Sequence, residues 1–235
     1  MTDRSDLLSI IVPVFNEVRT IRQVLERLVE ISLPLDREIL VVDDGSTDGT
    51  QDVLRSALDA GLPVDVIEAV RNGGKGSALR LGLTQARGSI VAIQDADLEL
   101  DPQQIATLVT PILAGGTSVV YGSRFLIPAS GVPTMTVVAN RMLTGVTNLL
   151  FGSALSDMET CYKVMRTDVA RSLRLTANGF DIEAQITARL LRHGHQIQEI
   201  PVRFDARSRA EGKKIGWRDG VHALRVLMAE RFRTL

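Results

Sequence analysis

The sequence predicts an α/β fold: a mostly parallel sheet flanked by helices on both faces. Three observations predict it. Strand-like and helix-like periods alternate through the first half of the chain. The strand-like runs are almost continuously apolar, as strands covered on both sides are. A polar or acidic cluster follows each of the first four runs. Strands that alternate with helices form parallel sheets with helical cover on both sides.

Leu7 to Val14 is the first such run, rich in β-formers. From Val18 to Ile31 apolar residues fall at 18, 21, 24, 25, 28 and 31, which is one face of a helix. Arg37 to Val42 reads as a second buried strand, and Asp48 and Thr50 open a helix reaching about Ala60. Val64 to Val70 is a third strand, Lys75 to Ala86 a helix, and Ser89 to Gln94 a fourth strand. Asp101-Pro102 is an N-cap and first-turn pair for a helix through Leu113, and Ser118 to Tyr121 is a fifth strand. Beyond Gly122 the pattern loosens. Residues 127 to 133 read as a loop, Thr136 to Phe151 as a helix, Thr160 to Arg166 as a strand, Phe180 to Arg192 as a helix and Gln196 to Phe204 as a strand. Ala206 to Gly216 is polar, basic and aperiodic, which reads as a mobile loop, and Gly220 to Phe232 is a closing amphipathic helix.

At 235 residues the chain has room for one large α/β domain or two small ones. The single cysteine, Cys161, excludes an intrachain disulfide and points to a reducing compartment. No apolar run approaches the roughly eighteen residues of a spanning helix, and the polar, acidic start is unlike a secretory signal. The location expected is therefore the cytoplasm, free or peripheral on the cytoplasmic face of the membrane. The net charge of −1 hides an asymmetry: Arg203 to Leu235 carries nine Arg and Lys against four Asp and Glu, an excess of five, which leaves −6 on the rest. A basic tail on an acidic body suits an anion such as a phosphate-bearing substrate or an anionic membrane surface. With one Trp, two Tyr and an acidic body, a nucleic acid is not the expected partner.

In open parallel sheets, ligands bind beyond the carboxyl ends of the strands. The polar clusters stand at those ends: Pro13-Val14-Phe15-Asn16-Glu17, then Asp43-Asp44-Gly45-Ser46, then Asn72-Gly73-Gly74-Lys75-Gly76, then Asp95-Ala96-Asp97. Bare carboxylates at the end of a buried strand are costly without cations or donors, and Mg²⁺ is commonly held by one or two acids plus substrate phosphates. Asp95 and Asp97 thus read as a metal–diphosphate site, or as caps of the following turn. Asp43-Asp44 reads as a base-binding pair or as a turn and helix cap. The Gly-rich stretch with Lys75 reads as a phosphate cradle at a helix N-terminus, although it lacks the spacing of a Walker loop.

Taken together, Ile10 to Glu17, Val41 to Thr50, Gly74 to Ala78, Asp95-Ala96-Asp97 and Gly122-Ser123-Arg124 resemble family 2 glycosyltransferases of the GT-A fold. Asp157 to Lys163 and Ala210 to Trp217 are similar to the branch of polyprenyl-phosphate (dolichyl-phosphate) mannose and glucose synthases. The resemblance implies that Pro13, Phe15 and Glu17 line the nucleobase and ribose pocket and that Asp43 or Asp44 binds the base. It implies a Mg²⁺ or Mn²⁺ shared by Asp95 and Asp97 with the donor diphosphate beside Ala96. Many branch members carry Gln at position 99, and Glu99 here either adds a third acid to the metal or is solvated. Arg124 and Arg141 would meet the acceptor phosphate, with Arg209, Lys213 and Lys214 on a loop over the diphosphate. Asp97, Arg124 and Lys214 would carry catalysis.

The expectation is one domain over residues 1–235, with a nucleotide-sugar half to 122 and an acceptor half beyond. It would move mannose or glucose from a GDP- or UDP-sugar to a polyprenyl or dolichyl monophosphate, inverting the anomeric centre. Two alternatives stand beside it: a related transferase with a soluble hydroxyl acceptor and Asp181 or Glu183 as base, and a non-catalytic nucleotide-sugar-binding module. His193 and His195 suit a helix end, and Cys161 a small strand hydrophobe.

Overall fold

Alternation along each strand divides the interior into two cores. The computed structural model describes residues 6–127, 134–206 and 217–233. In β1 (Leu7–Val14), Leu8, Ile10, Val12 and Val14 face one side of the sheet while Ile11 faces the other. β2 (Asp36–Asp43) repeats this, with Ile39 and Val41 on the first side and Leu40 and Val42 on the second. So does β4 (Ile90–Ile93), whose Ile90 and Ala92 oppose Val91 and Ile93. Period-two geometry makes every such strand apolar on both faces.

The first core is closed by α1 (Ile21–Glu30), α2 (Thr50–Asp59) and α4 (Ile105–Leu113). The second is closed by α3 (Lys75–Gln85), α6 (Thr167–Ser172) and α7 (Ile182–Arg192). The seven-stranded sheet also contains β3 (Asp65–Glu68), β5 (Val119–Ser123), β6 (Lys163–Arg166) and β7 (Gln198–Pro201), in the order β3-β2-β1-β4-β6-β5-β7. β6 runs antiparallel between β4 and β5, and the other pairings are parallel. Strands from before and after residue 122 therefore share one sheet. A third apolar cluster joins α5 (Thr134–Phe151), α7 and α8 (Trp217–Phe232) through Leu143, Met158, Ala184, Ala188, Ala223 and Leu227.

The expected elements are present with shifted ends. The helix expected after Asp101 begins as a 3₁₀ turn, Pro102–Gln104, and Asp101 caps it by accepting from the Gln103 N–H at 3.1 Å. The strand expected over Thr160 to Arg166 starts only at Lys163, because the Lys163 ammonium turns back to the carbonyls of Met158 and Thr160. α6 is an element the sequence pattern did not announce. Most of the loop expected at 127–133, and residues 207–216 of the expected basic loop, lie outside the described residues.

Close approach requires glycine where α3 begins. A Cβ at Gly76 would stand 2.4 Å from the Ala177 carbonyl oxygen. One at Gly74, where φ is +91°, would stand 2.4 Å from the Asn178 carbonyl oxygen. The segment before α7 is thereby seated on the N-terminus of α3, and Ser77 N–H donates to Asn178 O at 3.1 Å.

Candidate active site

The carboxyl ends of β1, β2 and β4 and the start of α3 enclose a cavity of about 370 Å³. Pro13, Val14, Phe15 and Glu17 come from β1 and its exit, Asp44 follows β2, and Asn72, Gly74, Lys75 and Ala78 come from α3 and its approach. Asp95, Ala96, Asp97 and Glu99 follow β4, and Phe180 closes the wall from the segment before α7. Nine sequence-predicted residues thus meet at one cavity: Pro13, Phe15, Glu17, Asp44, Lys75, Asp95, Ala96, Asp97 and Glu99. Phe180 and Ala78 are additions. No repeating pattern marks them as lining residues, because the seating of Ala177 and Asn178 on α3 is what brings Phe180 to the wall.

Local bonds fix each loop. Asn16, at φ +52°, accepts from Thr47 N–H at 2.8 Å and donates its own N–H to Ser46 Oγ at 2.9 Å. The Thr20 hydroxyl lies 2.9 Å from both the Glu17 carboxylate and the Ala96 carbonyl, linking the first and fourth loops. Asp97 Oδ1 accepts from Glu99 N–H at 3.1 Å, and Glu99 O accepts from Asp205 N–H at 2.8 Å.

The two candidate base-binding acids separate in role. Asp43 is fully buried and its carboxylate is bonded to the Ser46 N–H and hydroxyl and to Gln51 Nε2. It holds the turn and is not on the cavity wall. Asp44 is on the wall and accepts from the N–H groups of Gly73 and Gly74 at 2.9 and 2.7 Å. Asp44→Ala is expected to raise the donor KM about 10–100-fold, as loss of a hydrogen bond to a charged group does, with kcat changed far less. Steady-state kinetics over donor concentration checks this, and an unchanged KM would remove Asp44 from the base pocket.

Lys75, expected in a phosphate cradle, lies on the cavity wall and is paired with two carboxylates. Its ammonium lies 2.7 Å from Asp95 Oδ1 and 2.9 Å from Glu183 Oε1, and Glu183 Oε2 in turn accepts from the fully buried Lys163 at 2.5 Å. Burial pushes the Asp95 carboxyl up, but Lys75, Lys163 and a hydrogen bond from the Cys161 thiol outweigh it and hold it below the ordinary value. Burial likewise pushes Lys75 down, and Asp95 and Glu183 overcome this and raise it. Glu183 is held between two ammonium groups behind the wall, so the geometry does not present it as a base for a hydroxyl acceptor. Asp181 accepts from Gly179 N–H at 3.1 Å in the turn that starts α7.

Arg124, expected on an acceptor phosphate, is engaged elsewhere. Its Nε and Nη2 donate to the two oxygens of Asp157 at 2.7 and 2.8 Å, its backbone N–H adds a third bond, and its guanidinium stacks 5.2 Å from the Phe204 ring centre. Asp157 is fully buried and also accepts from Asn140 Nδ2 at 3.1 Å, which sets α5 beside this pair. Arg141, the next residue, is exposed. Neither arginine is on the cavity wall, while Arg209, Lys213 and Lys214 lie outside the described residues. His193 and His195 end α7 away from the cavity.

Glu159 is a half-buried acid without a sequence signal, and its buried Oε1 has no hydrogen-bond partner. Burial pushes its carboxyl up from 4.5 to about 7, with Lys163 and Arg124 opposing and Glu183 and Asp157 reinforcing. The folded state then binds the proton more tightly than the unfolded state between pH 4.5 and about 7, so stability falls as pH rises through that window. Glu159→Gln is expected to remove this loss and to be more stable than the parent by roughly 1–3 kcal/mol at about pH 8. Urea unfolding at about pH 5 and about pH 8 checks it.

The donor set for a cation is two Asp carboxylates, with Glu99 nearby and neither His nor Cys on the wall. Such hard oxygen ligands fit Mg²⁺ or Mn²⁺ completed by water and phosphate oxygens. Among the described residues no three His, Cys, Asp or Glu side chains are gathered as a metal cluster, and Glu99 lies on the wall beside the two Asp residues.

The sequence profile of Glycosyl transferase family 2 matches residues 9–174. The chain belongs to that family. An undecaprenyl-phosphate mannosyltransferase of Micrococcus luteus is 29% identical over 88% of this glycosyltransferase and 86% of its own length. A dolichol-phosphate mannosyltransferase of Pyrococcus furiosus is 28% identical over 88% of the chain. A dodecaprenyl-phosphate galacturonate synthase of Rhizobium johnstonii is 37% identical over 45% of it. The chain spans 59% and 32% of the lengths of the last two. Glucosyl-3-phosphoglycerate synthase from Mycobacterium tuberculosis with UDP superposes with a TM-score of 0.75 at 23% identity, covering 96% of this chain and 80% of that one. Its complex with Mn²⁺, UDP and glucosyl-3-phosphoglycerate gives 0.74 over the same shares. The fold is GT-A.

Proposed function

We propose that this glycosyltransferase moves a hexose, mannose or glucose, from a GDP- or UDP-sugar to a polyprenyl monophosphate, inverting the anomeric centre. The observation that carries the reading is the single cavity that joins the Pro13, Phe15 and Asp44 wall to the Asp95 and Asp97 acids. On this reading the first group would take the base and the second the cation and diphosphate. The named relatives that cover most of the chain act on prenyl phosphates, which supports the acceptor class.

The chemistry suits the residues present. A phosphate monoester with a second pKa near 6 is largely a dianion at neutral pH, so no side chain need remove a proton from it. Asp95 and Asp97 would hold Mg²⁺ or Mn²⁺, which when bound neutralises the departing diphosphate. Pro13, Phe15 and Asp44 orient the base, and the walls exclude water from the donor. The exposed Arg141 on α5 would supply a cation for the acceptor phosphate, and Arg209, Lys213 and Lys214 would serve the donor diphosphate.

No helix among the described residues is long and apolar enough to cross a membrane. α5 exposes Met135, Val138, Met142 and Leu149, and α8, packed against it, exposes Val221, Leu224, Met228 and Phe232. These faces are proposed to rest on the lipid surface that carries the acceptor. Met142→Glu/Leu149→Glu is expected to lose co-flotation with anionic vesicles while keeping nucleotide binding. Undiminished flotation would place the membrane contact elsewhere.

A thermal-shift panel of nucleoside diphosphates with Mn²⁺ tests the donor site. The matching nucleotide at a hundred times its Kd adds about 2.7 kcal/mol. No shift from UDP or GDP would contradict the base site.

A further inference from the structure

From the cavity wall inward four charges alternate in sign: Asp95, Lys75, Glu183, Lys163. Their contacts measure 2.7, 2.9 and 2.5 Å. Exposure falls along the same path, with side chains 27%, 10%, 5% and 0% exposed. Asp95 and Lys75 line the cavity, and Glu183 and Lys163 do not. Lys75 is therefore shared between an acid that a cation can reach and an acid that it cannot.

We propose that Glu183 is a positioning residue that acts through Lys75: Lys75 is the resident cation of Asp95, and Glu183 retains it when a divalent ion takes that carboxylate. The inference rests on the reading of Asp95 as a metal-binding acid. A buried ammonium that lost its sole partner would be left uncompensated at large cost. With Glu183 as second partner, Lys75 can release Asp95 and remain paired at the edge of the diphosphate site. Lys163, donating to Glu183 and to the carbonyls of Met158 and Thr160, fixes that anchor in place. Three further groups border the chain: the Cys161 thiol is hydrogen-bonded to Asp95, Glu159 interacts with Lys163 and Glu183, and Tyr121 covers Lys163. The Tyr121 ring lies 4.7 Å from the Lys163 ammonium, and its hydroxyl is bonded to Thr187.

The inference predicts opposite effects of the two partners on metal affinity. Lys75→Met removes the competitor and is expected to tighten Mn²⁺ binding about five- to tenfold. Glu183→Gln leaves Lys75 with Asp95 alone and is expected to weaken Mn²⁺ binding by a similar factor. Because Glu183 acts through Lys75, the double variant should bind Mn²⁺ as Lys75→Met does, which is the coupling that a double-mutant cycle reads. Glu183→Asp, which keeps the charge for Lys163 but shortens the reach to Lys75, should weaken binding too. It also serves if Glu183→Gln does not melt cooperatively.

The measurement is Mn²⁺ titration of the full chain, with free Mn²⁺ followed by electron paramagnetic resonance, and with Asp95→Asn as control. Mn²⁺ affinity lost in Asp95→Asn, raised in Lys75→Met and equally raised in the double variant is the expected result. Affinity unchanged in Lys75→Met, or a Glu183→Gln loss that persists in the double variant, overturns the exchange while leaving the metal site intact. A parent protein that binds Mn²⁺ no better than Asp95→Asn overturns the metal reading, and the inference with it.

Discussion

Asp97→Asn is expected to lower kcat for sugar transfer about 10²–10³-fold while the protein melts as the parent does. Asp97 stands on the cavity wall, and one of its oxygens accepts from Glu99 N–H at 3.1 Å. An asparagine carbonyl can accept the same bond, so the turn survives. What disappears is a negative charge at the place where, on the proposed function, a cation would meet the donor diphosphate. Circular dichroism melts and a radiolabelled-donor assay check the two halves of this expectation. Full activity with the parent's metal dependence would remove Asp97 from the metal site.

Arg124→Met is expected to destabilise the fold by about 3–5 kcal/mol, because it strands a buried carboxylate. Asp157 is fully buried and takes three bonds from Arg124, two of them through the guanidinium. Burial pushes the Asp157 carboxyl up, and the Arg124 charge and hydrogen bonds more than reverse this, holding it below its ordinary value. Below that depressed value the acid protonates and the stabilisation fades, so the parent should lose this contribution as pH falls through the carboxylate range and keep it above. For a chain of this size the melting temperature should fall by roughly 10 °C. Arg124→Met/Asp157→Asn should recover part of the loss, since no bare charge then remains. If Arg124→Met instead melts normally and raises only the acceptor KM, the guanidinium serves the acceptor phosphate and not the fold.

These two residues show what the sequence could disclose. Asp97 is legible because strand periodicity locates the end of β4, and topology alone brings strand ends together. The same logic placed Asp44, Phe15 and Lys75 on one edge before any contact was known. Arg124 was not legible as a structural residue, since its partner Asp157 is separated from it by α5 and no periodicity couples them. The ion pairs of Lys75 were not legible for the same reason: its second partner, Glu183, sits on α7, and a helix-start acid gives no sign of facing a lysine on α3. The strand β6 was legible but its start and its antiparallel direction were not, and the six-residue α6 is too short to carry a helical pattern of its own. Phe180 reached the wall through the contact of Ala177 and Asn178 with Gly76 and Gly74, which only packing reveals.

The most direct measurement is the product formed from a short-chain polyprenyl phosphate, Mn²⁺ and either UDP-glucose or GDP-mannose, read by mass spectrometry. The expected product is the polyprenyl phosphate carrying one hexose on its phosphate, formed with one of the two donors, and absent without metal or with Asp97→Asn. Hexose transferred to a hydroxyl acceptor such as a phosphoglycerate, with none on the polyprenyl phosphate from either donor, would contradict it.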